Sequence, residues 1–210
     1  MWSTLGESWL EKAKRVSVGP RHSLVRMLAP KVYSGYLQYV KVFGDSSVAR
    51  PMIRFVKSMA LDDPLTGAEI GVYEADNAAS ILNMLNMRLL YLIDPYRDYV
   101  LGSEICRIGD SQRIAVNRLA AFNDRIRWLT MTSSEAAAHV SSGLDFVYID
   151  GNHDYDFVKN DIVNYYDKVR PGGVFGGHDF RKEFPGVIQA ACEFVVKAQE
   201  HLMVENTDWW

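Results

Sequence analysis

The sequence predicts an α/β fold of the doubly wound kind, in which helices cover both faces of a mostly parallel β-sheet. Beyond residue 67, short apolar runs alternate with amphipathic stretches, and turns separate them. Strands that alternate with helices form β–α–β units, which give a parallel sheet with right-handed crossovers. Residues 146–149 are apolar throughout, as expected for a strand that is buried on both faces. With 48% hydrophobic residues in 210, the chain has enough apolar side chains for such a core.

A different pattern precedes the sheet. Apolar residues spaced three and four apart predict helices over about 2–15, 24–43 and 48–59, and Pro51 fits the first turn of the last helix. A turn cluster near residues 62–67 ends this section, and the charge balance changes there. We therefore expect two parts, an N-terminal helical cap or lid over residues 1–62 and a sheet domain over residues 63–210.

The elements of the sheet domain follow in order. The apolar runs predict strands over residues 68–72, 88–93, 125–129, 144–149 and 173–177. Helical spacing predicts helices over residues 76–85, 110–122, 134–140, 154–169 and 184–199. Residues 201–205 are then expected to form a sixth strand.

Composition excludes several classes of protein. The net charge of −3 gives the whole chain no electrostatic reason to bind nucleic acid, although residues 1–60 carry 10 basic and 3 acidic side chains. Cys106 and Cys192 are too few for a disulfide framework, which predicts a reducing compartment. No stretch reads as a secretory signal or as a membrane-spanning helix of about 20 apolar residues. We therefore expect a cytoplasmic protein with no membrane partner.

Candidate site residues stand at the ends of the predicted strands, because an open parallel sheet binds its ligand beyond those ends. Gly71 follows the first strand, and Asp94 follows the second, 23 residues later. At that spacing an acidic side chain reaches the ribose hydroxyls of a bound nucleotide-like ligand. The alternatives are that Gly71 only forms a turn and that Asp94 only caps the chain before Pro95.

Two further strand ends carry acids and imidazoles. Asp150 and His153 follow the fourth strand, and His178 and Asp179 follow the fifth. Ionised groups this close together need a cation or a cationic ligand to offset them. The set predicts either a divalent metal site at Asp150, His178 and Asp179, or a histidine that acts as general base near neutral pH. Each histidine alone would more often be a hydrogen-bonded loop residue.

Several of these segments together resemble the motifs of class I S-adenosylmethionine-dependent methyltransferases. The most similar subgroup holds macrocin-type O-methyltransferases and relatives of cephalosporin hydroxylase. The matching segments are Glu69-Ile70-Gly71-Val72-Tyr73, Ile93-Asp94, residues 145–155, Asp161 and residues 170–179. The resemblance covers about residues 67–180 and implies a Rossmann-like, seven-stranded sheet. In this chain the seventh strand, which usually runs antiparallel at the sheet edge, would be short or truncated.

The resemblance also implies roles for single residues. Residues 63–210 would bind S-adenosylmethionine, with Asp94 on its ribose hydroxyls and Asp150 on the sulfonium side. The first loop, under the methionine part, would contain Glu69, Gly71 and Tyr73, and the adenine would lie by Thr132 and Ser133.

The chain departs from the family pattern at two positions. Ala75 stands where the family often has a second glycine. Asp150, His178 and Asp179 match the place where metal-dependent members bind magnesium, but those members often carry a carboxylate in place of His178. Magnesium prefers oxygen ligands, so this second departure weakens the match to a magnesium site.

The expected reaction is methyl transfer to the hydroxyl of a small-molecule acceptor. The sulfonium is already an activated donor, so the protein must align an oxygen and remove its proton. His153 is the first choice as base, with His178 a base or a metal ligand, and Asp150 beside them in the catalytic group. Mg²⁺ or another divalent cation, if used, would lower the pKa of the acceptor oxygen.

Three other expectations follow from the sequence. Tyr155 and Lys159 have the spacing of short-chain dehydrogenases, but Thr66-Gly67 precedes the first strand, which disfavours that NAD(P)-dependent class. A non-catalytic binding module would use a retained cofactor pocket and the basic front helices, although those charges fit a solvated surface better. Exposed tryptophans at residues 209–210 would give an adhesive edge and a homodimer.

Overall fold

The structure of the chain is a computed structural model, and it describes residues 49–59, 63–101 and 104–210. The predicted helices over 2–15 and 24–43, and with them most of the predicted cap, lie outside these residues. The described helices are α1 (Pro51–Ser58), α2 (Asp76–Met84), α3 (Ser111–Arg118), α4 (Ser133–Ala136), α5 (Tyr155–Tyr165) and α6 (Pro185–Ala198). Single 3₁₀ turns extend α3, α4 and α5 at Ala120–Phe122, Ala137–His139 and Tyr166–Lys168.

The strands are β1 (Leu65–Ile70), β2 (Met87–Ile93), β3 (Tyr99–Leu101), β4 (Glu104–Cys106), β5 (Ile126–Leu129), β6 (Leu144–Ile149), β7 (Val169–Gly177), β8 (Val204–Glu205) and β9 (Asp208–Trp209). Seven of them form one sheet in the order β5-β2-β1-β6-β7-β9-β8, and β3 and β4 form a separate hairpin. The first five strands of that order are parallel. The predicted doubly wound, mostly parallel, seven-stranded sheet is therefore confirmed.

The strand order reverses between β1 and β6. From β1 the chain proceeds outward to β2 and β5, and it then returns to the other side of β1 to form β6. The crevice at such a switch point is where open α/β sheets bind their ligands.

The end of the sheet differs from the expectation. β9, which is the predicted seventh strand, runs antiparallel between β7 and β8. The strand at this edge of the sheet is therefore β8. Trp209 is 1% exposed and packs in the core, while Trp210 packs against Phe55 with 5.5 Å between ring centroids. The predicted pair of exposed tryptophans is therefore wrong, because Trp209 lies in an interior strand and Trp210 packs against a side chain of α1. The homodimer stays a prediction without that support.

Side chains of each central strand alternate between two cores. In β6, Phe146 and Tyr148 join the core under α1 and α2, whereas Val147 and Ile149 join the core under α5 and α6. Full burial of such side chains contributes roughly 1.5–3 kcal/mol each. This two-sided burial explains why the strand is apolar throughout.

Helix α1 packs into this domain. Met52 and Ile53 are fully buried, and the carboxylate of Asp208 accepts a hydrogen bond of 3.0 Å from the backbone N–H of Met52. The boundary predicted at residues 62–63 assigned this helix to the N-terminal part, but its apolar face belongs to the core of the sheet domain. Among the described helices, none is both long enough and apolar enough to cross a bilayer.

Candidate functional site

The register of the strands brings three of the predicted residues to one edge. Ile70 pairs with Ile93 on one side and with Ile149 on the other, so that the residues that follow them, Gly71, Asp94 and Asp150, lie next to one another. A cavity of about 790 Å³ opens there, within the usual volume range of small-molecule sites. The predicted site residues that line it are Gly71, Tyr73, Asp94, Thr132, Ser133, Asp150 and His153.

Gly71 lets β1 and β6 approach each other closely at the cavity. Its φ is +81°, and a Cβ at this position would lie 2.1 Å from the carbonyl oxygen of Asp150. Ala75, four residues on, also has a left-handed backbone, with φ of +64°. Glycine adopts this conformation without strain. This explains why methyltransferases of the class that the sequence resembles often have a second glycine at this position.

The carboxylate of Asp94 holds the first loop in place. Its Oδ2 accepts hydrogen bonds of 2.9 Å from the backbone N–H groups of Val72 and Tyr73, and its Oδ1 accepts one of 2.7 Å from Tyr96. Oδ2 thereby uses both of its lone pairs, whereas Oδ1 can accept one further hydrogen bond. Asp94 can therefore bind a hydroxyl in the cavity while it keeps the loop folded.

Residues beyond β5 line the other end of the cavity. Thr132 caps α4, since its Oγ1 accepts a hydrogen bond from the N–H of Glu135, whose carboxylate accepts one from the N–H of Thr132. Asp161 on α5 also lines the cavity, and burial raises the pKa of its carboxyl to about 7. Asp161 belongs to the motif segments, but no role was predicted for it.

Glu69 lies beneath the loop and not in the cavity. Its side chain is 1% exposed, and its Oε1 accepts a hydrogen bond of 2.8 Å from Asn77. Burial raises the pKa of the Glu69 carboxyl to about 8. From this position Glu69 supports the first loop from below. Its side chain would have to move to contact a cofactor in the cavity directly.

The structure brings together all four acids and imidazoles predicted at the ends of β6 and β7. His153 Nε2 lies 2.9 Å from Asp179 Oδ2. His178 Nδ1 lies 3.3 Å from Asp179 Oδ1 and 3.6 Å from Asp150 Oδ1, while its Nε2 lies 2.8 Å from the hydroxyl of Thr207. His178 and Asp179 do not line the cavity, whereas Asp150 and His153 do.

These contacts change the acid–base behaviour of the cluster. Burial lowers the pKa of both imidazoles, but hydrogen bonds and charge from Asp150 and Asp179 outweigh it and raise each pKa to about 9. Burial likewise opposes ionisation of Asp150, yet Arg50 and the two imidazoles hold the pKa of its carboxyl well below the ordinary value. The imidazoles are therefore cations paired with carboxylates at neutral pH.

Arg50 is a member of this cluster that the sequence did not reveal. It precedes α1, and its Nη1 lies 2.5 Å from Asp150 Oδ2 and 3.1 Å from the hydroxyl of Tyr148. That hydroxyl donates a hydrogen bond of 2.7 Å to Asp208 Oδ1. Arg50 and Asp150 are 100 residues apart, so no local spacing could have linked them.

Spacing alone permits a metal ion at this cluster. Ligand atoms of Asp150, His153 and Asp179 all lie within 4.8 Å of one another. However, both carboxylates already pair with a guanidinium, because Arg181 Nε lies 2.9 Å from Asp179 Oδ1. With two arginines on the acids and an imidazole among the donors, the residues as arranged do not fit magnesium. The metal ligands Asp150, His178 and Asp179 stay a prediction.

The dehydrogenase-like pair lies elsewhere. Lys159 Nζ donates a hydrogen bond of 2.8 Å to the Tyr155 hydroxyl, which itself donates to Glu193 on α6. Neither Tyr155 nor Lys159 lines the cavity. These side chains therefore join α5 to α6 and do not face a cofactor.

Comparison with known proteins gives a family match over the same region. A family model described as a methyltransferase domain matches residues 68–180. The uncharacterized protein R132 of Acanthamoeba polyphaga mimivirus is 27% identical over 147 residues, which are 65% of this chain and 62% of that protein. The chain thus spans less than two thirds of the length of this relative.

Solved structures share the fold at low identity. The precorrin 8W decarboxylase of Methanobacterium thermoautotrophicum has a TM-score of 0.55 and 14% identity, with 74% of this chain and 75% of that chain covered. The MycE methyltransferase of the mycinamycin biosynthetic pathway, solved with Mg, SAH and mycinamycin VI, has a TM-score of 0.52 and 17% identity, with 74% and 46% covered. Precorrin-6y C5,15-methyltransferase of Geobacter metallireducens has a TM-score of 0.51 and 17% identity, with 73% and 71% covered.

These structural likenesses show the fold alone, whereas the family model covers more than half of the chain. The strand order and the glycine and acid at the ends of β1 and β2 agree with that match. The chain therefore belongs to the family of methyltransferase domains, whose model matches residues 68–180.

Proposed function

We propose that the protein transfers a methyl group from S-adenosylmethionine to a hydroxyl of a small molecule. The observation that carries the proposal is the cavity at the switch point of the sheet, lined by Gly71, Asp94 and Asp150 in a chain of this family. The resemblance to O-methyltransferases over residues 145–155 and 170–179 supports oxygen as the acceptor atom.

The lining of the cavity supports one orientation of the cofactor. Asp94 accepts a hydrogen bond from a ribose hydroxyl, and Thr132 and Ser133 lie by the adenine. Gly71 and Tyr73 flank the methionine part, which leaves the sulfonium near Asp150. Asp150 is ionised at that position, and Arg50 and the two imidazoles lie against its carboxylate.

The protein's part in the reaction is alignment and proton removal. The acceptor oxygen must lie in line with the methyl group, at near-contact distance from it. His153 is the better candidate for the base, because it lines the cavity and His178 does not. Its raised pKa of about 9 means that the neutral, proton-accepting form becomes more abundant as the pH rises from 7 toward 9. No step of this proposal passes through a metal ion.

Calorimetry with S-adenosylmethionine and assay of methyl transfer to a panel of small hydroxyl compounds test the proposal together. We expect Asp94→Ala to weaken cofactor binding by at least about tenfold, since a charge-assisted hydrogen bond is lost and the loop is released. His153→Ala should lose turnover and keep most of the cofactor affinity. Asp156→Ala, an exposed acid on α5, is the matched control.

Each part of the proposal has its own contradicting result. If the unaltered protein does not bind S-adenosylmethionine, the proposed activity is wrong. Unchanged affinity in Asp94→Ala would remove the ribose assignment, and unchanged turnover in His153→Ala would remove that base. A third outcome would favour a non-catalytic binding module instead. In that outcome the protein binds the cofactor, transfers no methyl group to any hydroxyl compound, and binds nucleic acid with an affinity that falls steeply with salt.

A further inference from the structure

We infer that Asp161 selects the adenine base of the cofactor, and that its carboxylate accepts a hydrogen bond from the 6-amino group of that base. The inference rests on the proposed function, because it requires S-adenosylmethionine in the cavity. It goes further by naming the residue that distinguishes one nucleoside base from another. The sequence predicted no role for this residue.

Asp161 lies at the end of the cavity where the base is proposed to bind. The residue is 4% exposed, and it lines the cavity together with Thr132, Ser133 and Gly151. A Cβ on Gly151 would lie 3.9 Å from Asp161 Oδ2, so a longer side chain there would reach this oxygen. Because Gly151 has no side chain, the carboxylate stays accessible from the cavity.

Helix α5 and the start of α4 are fixed to each other around Asp161. Asn160 Nδ2 donates a hydrogen bond of 2.6 Å to the hydroxyl of Ser134. One turn after Asp161, the hydroxyl of Tyr165 donates a hydrogen bond of 2.6 Å to the carbonyl of Ser133. The distance from Asp161 to the start of α4 is therefore set by the fold, as recognition of a single functional group requires.

The carboxyl of Asp161 lacks the cationic partner that Asp150 and Asp179 have. Each of those acids pairs with an arginine, whereas in the part of the chain that the structure describes no lysine, arginine or histidine forms an ion pair with Asp161. Burial raises the pKa of its carboxyl to about 7, and the side chain of Ser133 offsets only part of that effect. A buried carboxylate needs hydrogen-bond donors. A ligand that brings a donor to this point should therefore bind more tightly than one that does not.

The cofactor offers one hydrogen-bond donor on its base. Adenine presents ring nitrogens that accept hydrogen bonds and a 6-amino group that donates them. The ribose hydroxyls are the other donors of the nucleoside, and in the proposed orientation they lie by Asp94. The 6-amino group is therefore the donor that reaches Asp161. A base without that group leaves the carboxylate unpaired, which costs more affinity than the loss of an apolar contact.

A thermodynamic cycle between protein and ligand tests the inference. The full chain and its Asp161→Ala variant are titrated in a calorimeter at pH 8, above the pKa of Asp161, with S-adenosylhomocysteine and with the analogue in which hydrogen replaces the 6-amino group. We expect the unaltered protein to bind the analogue at least about tenfold more weakly, since a hydrogen bond to a charged group is lost. In Asp161→Ala the two ligands should bind with affinities within about threefold of each other. Asp156→Ala, which removes an exposed acid on the same helix, should keep the full preference.

The quantity that tests Asp161 is the ratio of the two affinities. If Asp161 only supports the fold, Asp161→Ala weakens binding of both ligands by the same factor and keeps the ratio, which would overturn the inference. Equal binding of the two ligands by the unaltered protein would overturn it as well. Should Asp161→Ala not fold, Asp161→Asn keeps the shape without the charge and must lower the ratio at least about threefold, and an unchanged ratio in that variant overturns the inference equally. If the unaltered protein does not bind S-adenosylhomocysteine at all, the proposed function is wrong, and the inference with it.

Discussion

At the scale of single residues, the cavity depends on positions where backbone geometry leaves little choice. Gly71 combines a left-handed φ with close approach to the Asp150 carbonyl, and Asp94 uses three backbone N–H groups to hold the loop that Gly71 begins. Both residues were predicted from their places at strand ends. Their exact contacts could not be, because those contacts depend on the neighbouring strands.

Substitution of Gly71 by alanine should lower the free energy of unfolding more than the same substitution at another glycine with a left-handed backbone. Gly143 is the matched control, since it has a similar φ of +85° but open space around the Cβ position. We expect Gly143→Ala to lower the free energy of unfolding by about 1–2 kcal/mol, the cost of the backbone conformation alone. Gly71→Ala should lose more than this, measured by urea unfolding, and should also weaken binding of S-adenosylmethionine. Equal losses for the two variants would show that the contact with Asp150 is easily relieved.

The buried carboxyl of Glu69 predicts that the stability of the fold depends on pH. Its carboxyl has a pKa of about 8 in the folded chain, against an ordinary value of about 4.3 in an unfolded one. Between these values the folded state holds more protons, so this residue's contribution to stability is full at low pH and is lost as the pH rises toward 8.

Glu69→Gln cannot ionise, and its amide oxygen can still accept the hydrogen bond from Asn77. Relative to the unaltered protein, it should become more stable by about 1.4 kcal/mol for each pH unit between about 5 and 8. Urea unfolding at several pH values measures the difference. A difference that does not change with pH would contradict the protonated, buried state of Glu69.

At the scale of elements, periodicity predicted the parallel strands and the helices between them to within a few residues. β6 was predicted with both ends correct, because it is buried on two faces and bounded by turns. The β3–β4 hairpin was missed, since strands of three residues carry no usable pattern. The interior place of β9 was also missed, because it depends on long-range pairing with β7 and β8 that local sequence does not encode.

Helix α1 provides a prediction at this scale. Because Met52 is fully buried against the sheet domain, Met52→Ala should lower the free energy of unfolding by about 2–4 kcal/mol. Lys57→Ala, an exposed position on the same helix, should change it by less than about 0.5 kcal/mol. Guanidinium unfolding curves of the two variants give both values. A loss no larger in Met52→Ala than in Lys57→Ala would mean that α1 is not part of the cooperative domain.

At the scale of the whole molecule, the sequence could predict the sheet, the switch point and part of the cavity lining. These features follow from strand ends, and strand ends are visible in the pattern of apolar runs. The charge balance of the acid–imidazole cluster could not be predicted, because Arg50 reaches Asp150 only through the fold. The sequence therefore suggested a cluster in need of a metal ion, whereas the structure shows its acids paired with arginines.

The central claim is that S-adenosylmethionine binds in the cavity at the carboxyl ends of β1, β2 and β6. A crystal structure of the full chain with S-adenosylhomocysteine tests it most directly. We predict the ribose within hydrogen-bonding distance of Asp94 and the adenine beside Ser133. A cofactor product bound anywhere else, or a cavity that stays without it at saturating concentration, would contradict the claim.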